Sequence, residues 1–236
     1  MKRERSPVKA KAGEARGFRF RGEGSKRIFA LPFKKSLSFS VNPASPPPAS
    51  SAVFTLGHGT RSLGEFVLIL KAAGIRLVVD IRTIPRSRHN PQFNRERLPA
   101  ALAAEGIGYE HWAVLGGLRH PKRDSPNGAW RNSSFRAFAD YMQTPEFASA
   151  VVRLEQTSRR TPLVLLCAET VPWRCHRSLV ADALLVRGVP VVHLLDATHR
   201  RPHRITPWAR VADRRLTYPA APPPGGEPEG SIGDAG

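Results

Sequence analysis

The stretch LVLLCAETVPWRCHRSLVADALLVRGVPVVHLL, residues 163–195, decides the fold. Its first apolar run, 163–166, predicts a buried strand; a polar loop and a helical pattern follow, and the run 189–195 predicts a second strand. Strand–loop–helix–strand units are typical of parallel sheets covered by helices. The loop contains both cysteines of the chain, Cys167 and Cys175. Because α/β proteins bind ligands at the carboxyl ends of their strands, we expect a site here.

The same alternation precedes this unit. Short apolar runs predict strands at 53–56, 77–81 and 107–109. Helices are predicted after Ser62, which forms a capping box with Glu65, after Asn94 as a cap, over 135–142, and after Thr144. The alternation predicts an α/β fold, a three-layer sandwich with a mainly parallel central sheet in a single domain.

The composition changes sharply at both ends of the chain. Residues 1–51 are rich in Lys, Arg, Gly, Ser and Pro and predict a disordered basic leader. Residues 52–216 form the predicted α/β domain, and the Pro- and Gly-rich residues 217–236 predict a disordered tail.

The charge is strongly basic, with 37 Lys and Arg against 19 Asp and Glu, a net charge of +18. This excess fits a polyanionic partner, either nucleic acid or a phosphorylated small molecule, although an Arg-rich genome produces similar surfaces. Two cysteines do not suggest a disulfide-built secreted fold, and no apolar run approaches the roughly 18 residues of a membrane span. We therefore expect a cytoplasmic protein without a membrane partner.

Three strand-to-helix turns, residues 57–61, 80–93 and 167–177, carry most of the reactive side chains. Parallel strands would bring these turns to one sheet edge. The predicted catalytic residues are Cys167, Glu169, His176 and Asp80, and the predicted ligand-binding residues are His58, Arg61, Arg82, Arg86, Arg88, His89, Arg174 and Arg177.

These turns also carry a resemblance. The blocks TLGHGTRSLGEF, VVDIRTIPRSRHNPQFN, YEHWAVLGGLR and CAETVPWRCHRSLVADAL, in this order within residues 54–206, resemble the domain-of-unknown-function 488 family. The resemblance implies a bacterial or archaeal α/β domain with its site at these blocks. It does not define a reaction.

A cysteine nucleophile is the first chemical hypothesis. Cys167 ends a strand before a helix N-terminus, where the helix dipole lowers a thiol pKa, and His176 is placed to act as acid or base. The layout is similar to the phosphate loops of rhodanese-like sulfurtransferases and cysteine phosphatases, but six residues rather than five separate Cys167 from Arg174. The alternative is that Cys167 is a buried apolar residue at a strand end.

A metal centre is the second hypothesis, with a divalent metal as the cofactor and Cys167, Cys175 and His176 as its candidate ligands. The spacing is not a standard zinc spacing, and on a helix the adjacent Cys175 and His176 would project in different directions. His193, within an apolar strand, is expected to be a hydrogen-bonded core histidine or to lie at the edge of the site.

Binding of a polyanion is the third hypothesis, because arginines clamp phosphates and exposed tryptophans such as Trp173 can stack on bases. The sequence as a whole favours an enzyme acting on a phosphate-bearing substrate, a nucleic acid or nucleotide. The alternatives are a non-catalytic nucleic-acid-binding or interaction module, and a metal-binding enzyme that uses the Cys/His loop. A binding module needs neither a low-pKa thiol nor a carboxylate beside its anion site.

Overall fold

A computed structural model describes residues 52–220. The expected leader, 1–51, and most of the expected tail lie outside the described residues. Five parallel strands and one antiparallel strand form the main sheet, in the order β3-β2-β4-β1-β5-β6. The strands are β1 (Val53–Gly57), β2 (Leu77–Asp80), β3 (Gly108–His111), β4 (Leu163–Cys167), β5 (Val191–Leu194) and β6 (Arg200–Pro202).

Five helices connect the parallel strands: α1 (Leu63–Ala72), α2 (Leu98–Ala104), α3 (Ser133–Tyr141), α4 (Pro145–Ser158) and α5 (Arg177–Val186). The central strands β1 and β4 are buried along their whole length. Strand residues on one face pack with α1 and α2, and those on the other pack with α3, α4 and α5. Helices on both faces of the sheet confirm the predicted α/β three-layer sandwich. Strands covered on both faces have continuous apolar runs in their sequence, which is the pattern seen here.

The capping residues of α1 and α4 are those predicted. The Ser62 side chain accepts from the Glu65 backbone N–H while Glu65 accepts from that of Ser62, and Thr144 caps α4. The predicted cap of α2 is wrong. Asn94 instead accepts a 2.6 Å hydrogen bond from the backbone of Ser87, and α2 begins three residues later than a cap at Asn94 requires.

The chain after β5 forms three short strands that the sequence patterns do not predict. It adds β6 to the sheet edge and then forms a hairpin of β7 (Arg210–Ala212) and β8 (Arg215–Thr217). The expected domain boundary after Leu216 lies inside β8, and Tyr218 beyond it is fully buried. Its hydroxyl donates to Asp182 and its backbone N–H to Asn127, both at 2.9 Å.

None of the helices in the described range has the length and hydrophobicity needed to cross a membrane.

Candidate functional site

The carboxyl ends of β1, β2 and β4 lie side by side, and the three predicted turns meet there. Backbone hydrogen bonds join the turns directly: His58 N–H donates to Cys167 O at 2.9 Å, and Ile81 N–H donates to Leu166 O at 3.0 Å. Together with residues 117–118 they surround a cleft of about 560 Å³. Six of the predicted site residues line it: His58, Arg82, Arg86, Cys167, Glu169 and His176. We call it the carboxyl-edge cleft.

Cys167, Cys175 and His176 form a compact cluster at this cleft. The Nδ1 atom of His176 lies 4.0 Å from Sγ of Cys167 and 3.8 Å from Sγ of Cys175. The three donor atoms all lie within 4.8 Å of one another. The expectation that Cys175 and His176 diverge on a helix is wrong, because Cys175 is extended (φ −129°, ψ 141°) and α5 begins only after His176.

The cluster favours one thiolate over two. The neighbouring Cys175 side chain lowers the pKa of Cys167 well below its ordinary value, and His176 and Arg177 add to this effect against that of burial. The same interaction, together with burial, raises the pKa of Cys175. Cys167 is therefore the thiol that ionises first, and it is the one that lines the cleft.

The His176 ring is fixed by its neighbours. It packs on Phe138 with ring centroids 5.0 Å apart. Gly117 lies against its other side, where a Cβ would come within 2.5 Å of Nδ1. Nε2 is buried and has no hydrogen-bond partner among residues 52–220. Nδ1 is therefore the ring nitrogen that contacts the two sulfurs.

Asp80 and Arg82 form a buried ion pair beneath the cleft. Arg82 Nε lies 2.9 Å from Asp80 Oδ1 and Nη2 lies 2.5 Å from Oδ2, with the Asp80 side chain fully buried. Nη2 also donates to Phe93 O at 2.7 Å, and the Tyr109 hydroxyl donates to Asp80 at 2.8 Å. Burial and the Asp80 charge raise the pKa of Tyr109, which therefore stays a donor.

His58 completes this network as a neutral imidazole. Its Nε2 lies 3.2 Å from Arg82 Nη1, which can only donate, and its Nδ1 lies 2.8 Å from Gly59 O, which can only accept. The ring stacks on Phe93 with centroids 4.4 Å apart. Burial lowers the pKa of His58, and the Arg82 charge adds to this effect. His58 therefore supports Arg82 instead of carrying charge.

Two of the arginines predicted to bind a ligand donate hydrogen bonds to backbone carbonyl oxygens. Arg61 donates to Gly57 O and Leu195 O, both at 2.6 Å. Arg177 is buried and donates to the carbonyl oxygens of Glu169 and Thr170. Three further predicted residues, Arg88, His89 and Arg174, are exposed but do not line the cleft. Among the lining residues, Arg86 is therefore the exposed cation and Glu169 the exposed anion.

Glycines allow these loops to approach closely, and the sequence reasoning missed this role. A Cβ at Gly57 would overlap the Glu169 carbonyl, so only glycine lets β1 lie against residues 167–177, which we call the cysteine loop. The available signal was a glycine at the end of a buried strand, directly before His58. Gly117, in the pair that follows Leu115, plays the same part toward His176.

The family model described as Domain of unknown function DUF488 matches residues 62–184, more than half of the 236-residue chain, and the chain belongs to this family. The match lies within the stretch 54–206 in which the sequence blocks resemble it. No curated protein and no solved structure matches the chain.

Proposed function

We propose that this member of the DUF488 family is an enzyme acting on a phosphate-bearing substrate, a nucleic acid or nucleotide, with the thiolate of Cys167 as its nucleophile. One observation carries the proposal: the thiol favoured to ionise ends a buried strand, lines the cleft, and lies 4.0 Å from an imidazole nitrogen. A purely structural cysteine can also end a buried strand, but it needs neither a cleft nor an imidazole nitrogen beside its sulfur.

The surrounding side chains have distinct parts in this proposal. His176 takes the proton of Cys167 and returns it to the leaving group. Arg86 binds the anionic group of the substrate, because the charge of Arg82 is neutralised by Asp80. Glu169, exposed at the rim with its carboxylate accepting from Val171 N–H at 3.0 Å, is the second acid–base group. Asp80 holds Arg82 and does not reach the substrate.

Alkylation of Cys167 tests the proposal. In Cys175→Ser, which leaves one thiol and keeps a hydroxyl donor beside it, the iodoacetamide rate should show an inflection below the ~8.5 of a free thiol. Cys175→Ala should move the inflection upward, since it removes the donor that most favours the thiolate. Arg88→Ala, outside the cleft, should leave it unchanged. A thiol that reacts only after unfolding would overturn the catalytic assignment.

A metal-assisted enzyme is the second candidate, favoured by the convergence of three donors. Around a tetrahedral zinc, with Zn–S of ~2.3 Å and Zn–N of ~2.0 Å, sulfur and nitrogen ligands lie roughly 3.6 Å apart. The separations of 3.8 and 4.0 Å are close to this value. Cys167 and His176 line the cleft, so a fourth position would be open to water or substrate.

Metal analysis separates the two candidates. The metal centre would be supported if the untagged protein carries about one zinc per chain, and if Cys175→Ser loses the zinc but remains folded. Metal-free protein in which the Cys167 thiolate still alkylates below pH ~8.5 would support the nucleophile.

A further inference from the structure

A second, open groove lies on the far side of the cysteine loop, with a volume of about 310 Å³. It is bounded by the 3₁₀ turn Pro172–Arg174, strand β6, and residues 203–208. We call it the tryptophan groove, after its lining residues Trp130, Trp173 and Trp208. Trp173 is 59% exposed and Trp208 is 43% exposed. Exposed tryptophans that line one concave surface mark an interaction site more often than a chance arrangement.

Neighbouring side chains contact the Trp208 and Trp173 rings. Trp208 meets Trp130 edge to face, with centroids 5.3 Å apart and planes at 70°. Trp130 packs in turn on Phe135 at 4.8 Å and on Tyr218 at 5.5 Å. The guanidinium carbon of Arg201 lies 5.2 Å from the centre of the Trp173 ring. Trp208 therefore rests on an aromatic cluster, and both exposed rings retain surface on which a flat ligand can stack.

The groove is basic as well as aromatic. Arg201 and Arg204 line it, and no Asp or Glu is among the lining residues. Both arginines are exposed, and within residues 52–220 neither guanidinium has a hydrogen bond to an acceptor. A cationic ligand is disfavoured by these charges, and an anionic one is favoured. Aromatic faces next to unpaired arginines suit a ligand that combines flat rings with phosphates.

We propose that the tryptophan groove binds single-stranded nucleic acid, with bases stacked on Trp173 and Trp208 and phosphates held by Arg201 and Arg204. Unpaired bases are required because stacking on a side chain needs an open base face. This deepens the proposed function by naming its class of phosphate-bearing substrate. The cysteine loop borders both surfaces: Glu169 and Thr170 line the carboxyl-edge cleft, and Pro172 and Trp173 line the groove. The two surfaces therefore border the same loop.

Fluorescence anisotropy with a labelled oligothymidylate of about twelve nucleotides, at several salt concentrations, tests the proposal on the full chain. Trp173→Ala and Trp208→Ala should each weaken binding by about fivefold to 100-fold, the loss of one stacked base. Arg201→Ala should reduce the salt dependence by about one phosphate contact. Leu68→Ala on α1, equally exposed at 59%, and Arg160→Ala, before β4, are the matched controls and should leave binding unchanged.

The proposal is overturned if oligonucleotide affinity is the same in the tryptophan variants and the parent, at equal melting temperature. Duplex DNA of the same length and a polyglutamate chain are the competitors. The proposal is also overturned if either displaces the labelled oligonucleotide as well as an unlabelled single strand does, and if its affinity falls equally in Trp173→Ala. Failure here is separate from failure of the proposed function, because the Cys167 alkylation profile does not depend on the groove variants.

Discussion

The guanidinium of Arg82 and the carboxylate of Asp80 share two parallel hydrogen bonds, Nε to Oδ1 at 2.9 Å and Nη2 to Oδ2 at 2.5 Å. In the sequence both residues belong to a turn rich in charged side chains, which predicts Asp80 as a catalytic residue and Arg82 as a ligand-binding residue. In the fold they neutralise each other beneath the cleft, with 6% and 0% of their side chains exposed. The pair therefore lies at the floor of the cleft, and the proposed anion-binding residue is Arg86.

Removal of Arg82 should therefore destabilise the protein more than it affects any ligand. In Arg82→Ala the Asp80 carboxylate loses its counter-ion while still buried, which should lower the free energy of unfolding by ~3–5 kcal/mol. Urea unfolding measures this. The double variant Asp80→Ala/Arg82→Ala should recover part of the loss, since it leaves no buried charge. A single variant as stable as the parent would show that the pair is solvated.

Arg86 should bind the anion that approaches Cys167. Inorganic phosphate should slow iodoacetamide alkylation of Cys167 in Cys175→Ser, and the concentration for half protection should rise about tenfold or more when Arg86→Ala is added. Arg88→Ala is the matched control, because Arg88 is exposed on the same loop but does not line the cleft. Equal protection in the two variants would remove Arg86 from the proposed site.

Gly117 should control the thiol through His176. In Gly117→Ala the new Cβ would lie 2.5 Å from Nδ1 in the present geometry, so we expect the imidazole to shift from its position beside the sulfurs. The alkylation pKa of Cys167 should then rise toward that of a free thiol, because His176 favours the thiolate. Gly64→Ala, with open space around its Cβ position, should leave the profile unchanged. An unchanged profile in Gly117→Ala would argue against His176 as the partner of Cys167.

Acid should destabilise the fold through His193. Its Nδ1 lies 2.7 Å from the Thr55 hydroxyl and its Nε2 lies 2.9 Å from His203 Nδ1, and burial lowers its pKa from 6.5 to about 3. The unfolded chain binds this proton below pH ~6.5 while the folded protein does not. Stability from this group is therefore complete above pH ~6.5 and is lost as pH falls toward 3, by at most ~1.4 kcal/mol per pH unit.

Urea unfolding between pH 7 and 4 measures this slope, and the slope should be smaller in His193→Gln, which cannot take up the proton. His58 contributes in the same direction, since its pKa is also lowered by burial. The slopes, and not the absolute stabilities, are to be compared, because the substitution also perturbs the core. Parallel slopes would show that His193 is protonated in the folded protein.

Tyr218 should be part of the folded domain. Deletion of all residues after Leu216 should lower the free energy of unfolding by ~3–5 kcal/mol, because it removes a fully buried aromatic side chain and its hydrogen bond to Asp182. Deletion of all residues after Ala220 is the control and should have a much smaller effect. Equal stability of the two truncated chains would support the domain boundary after Leu216 that the composition predicts.

The order of elements and the edge that carries the site could be predicted from local patterns. Continuous apolar runs such as 163–166 fix a strand buried on both faces, and Ser62 with Glu65 fixes a helix start, because both signals depend on residues close in sequence. Alternation of strands and helices implies parallel strands, and parallel strands place their following loops together. This is why Cys167, His58 and Arg86 could be assigned to one edge without coordinates.

The partner of each side chain could not be predicted in this way. Arg82 and Arg177 are both arginines on turns at the sheet edge, yet one is paired with a carboxylate and the other with backbone carbonyls, according to how closely neighbouring loops approach. Tyr218 lies in a stretch of low-complexity composition, and its partners are distant in the chain: Asp182 accepts from its hydroxyl and Asn127 accepts from its backbone N–H.

The sequence by itself determined the α/β architecture and the loops that meet at its carboxyl edge, because hydrophobic periodicity and helix capping act over a few residues. Only the tertiary structure decided that Cys175 and His176 both face Cys167, and that Trp173 and Trp208 share a basic groove. These relationships depend on the angle at which a loop leaves its strand and on contacts between residues far apart in the chain. Neither can be predicted from the local sequence pattern.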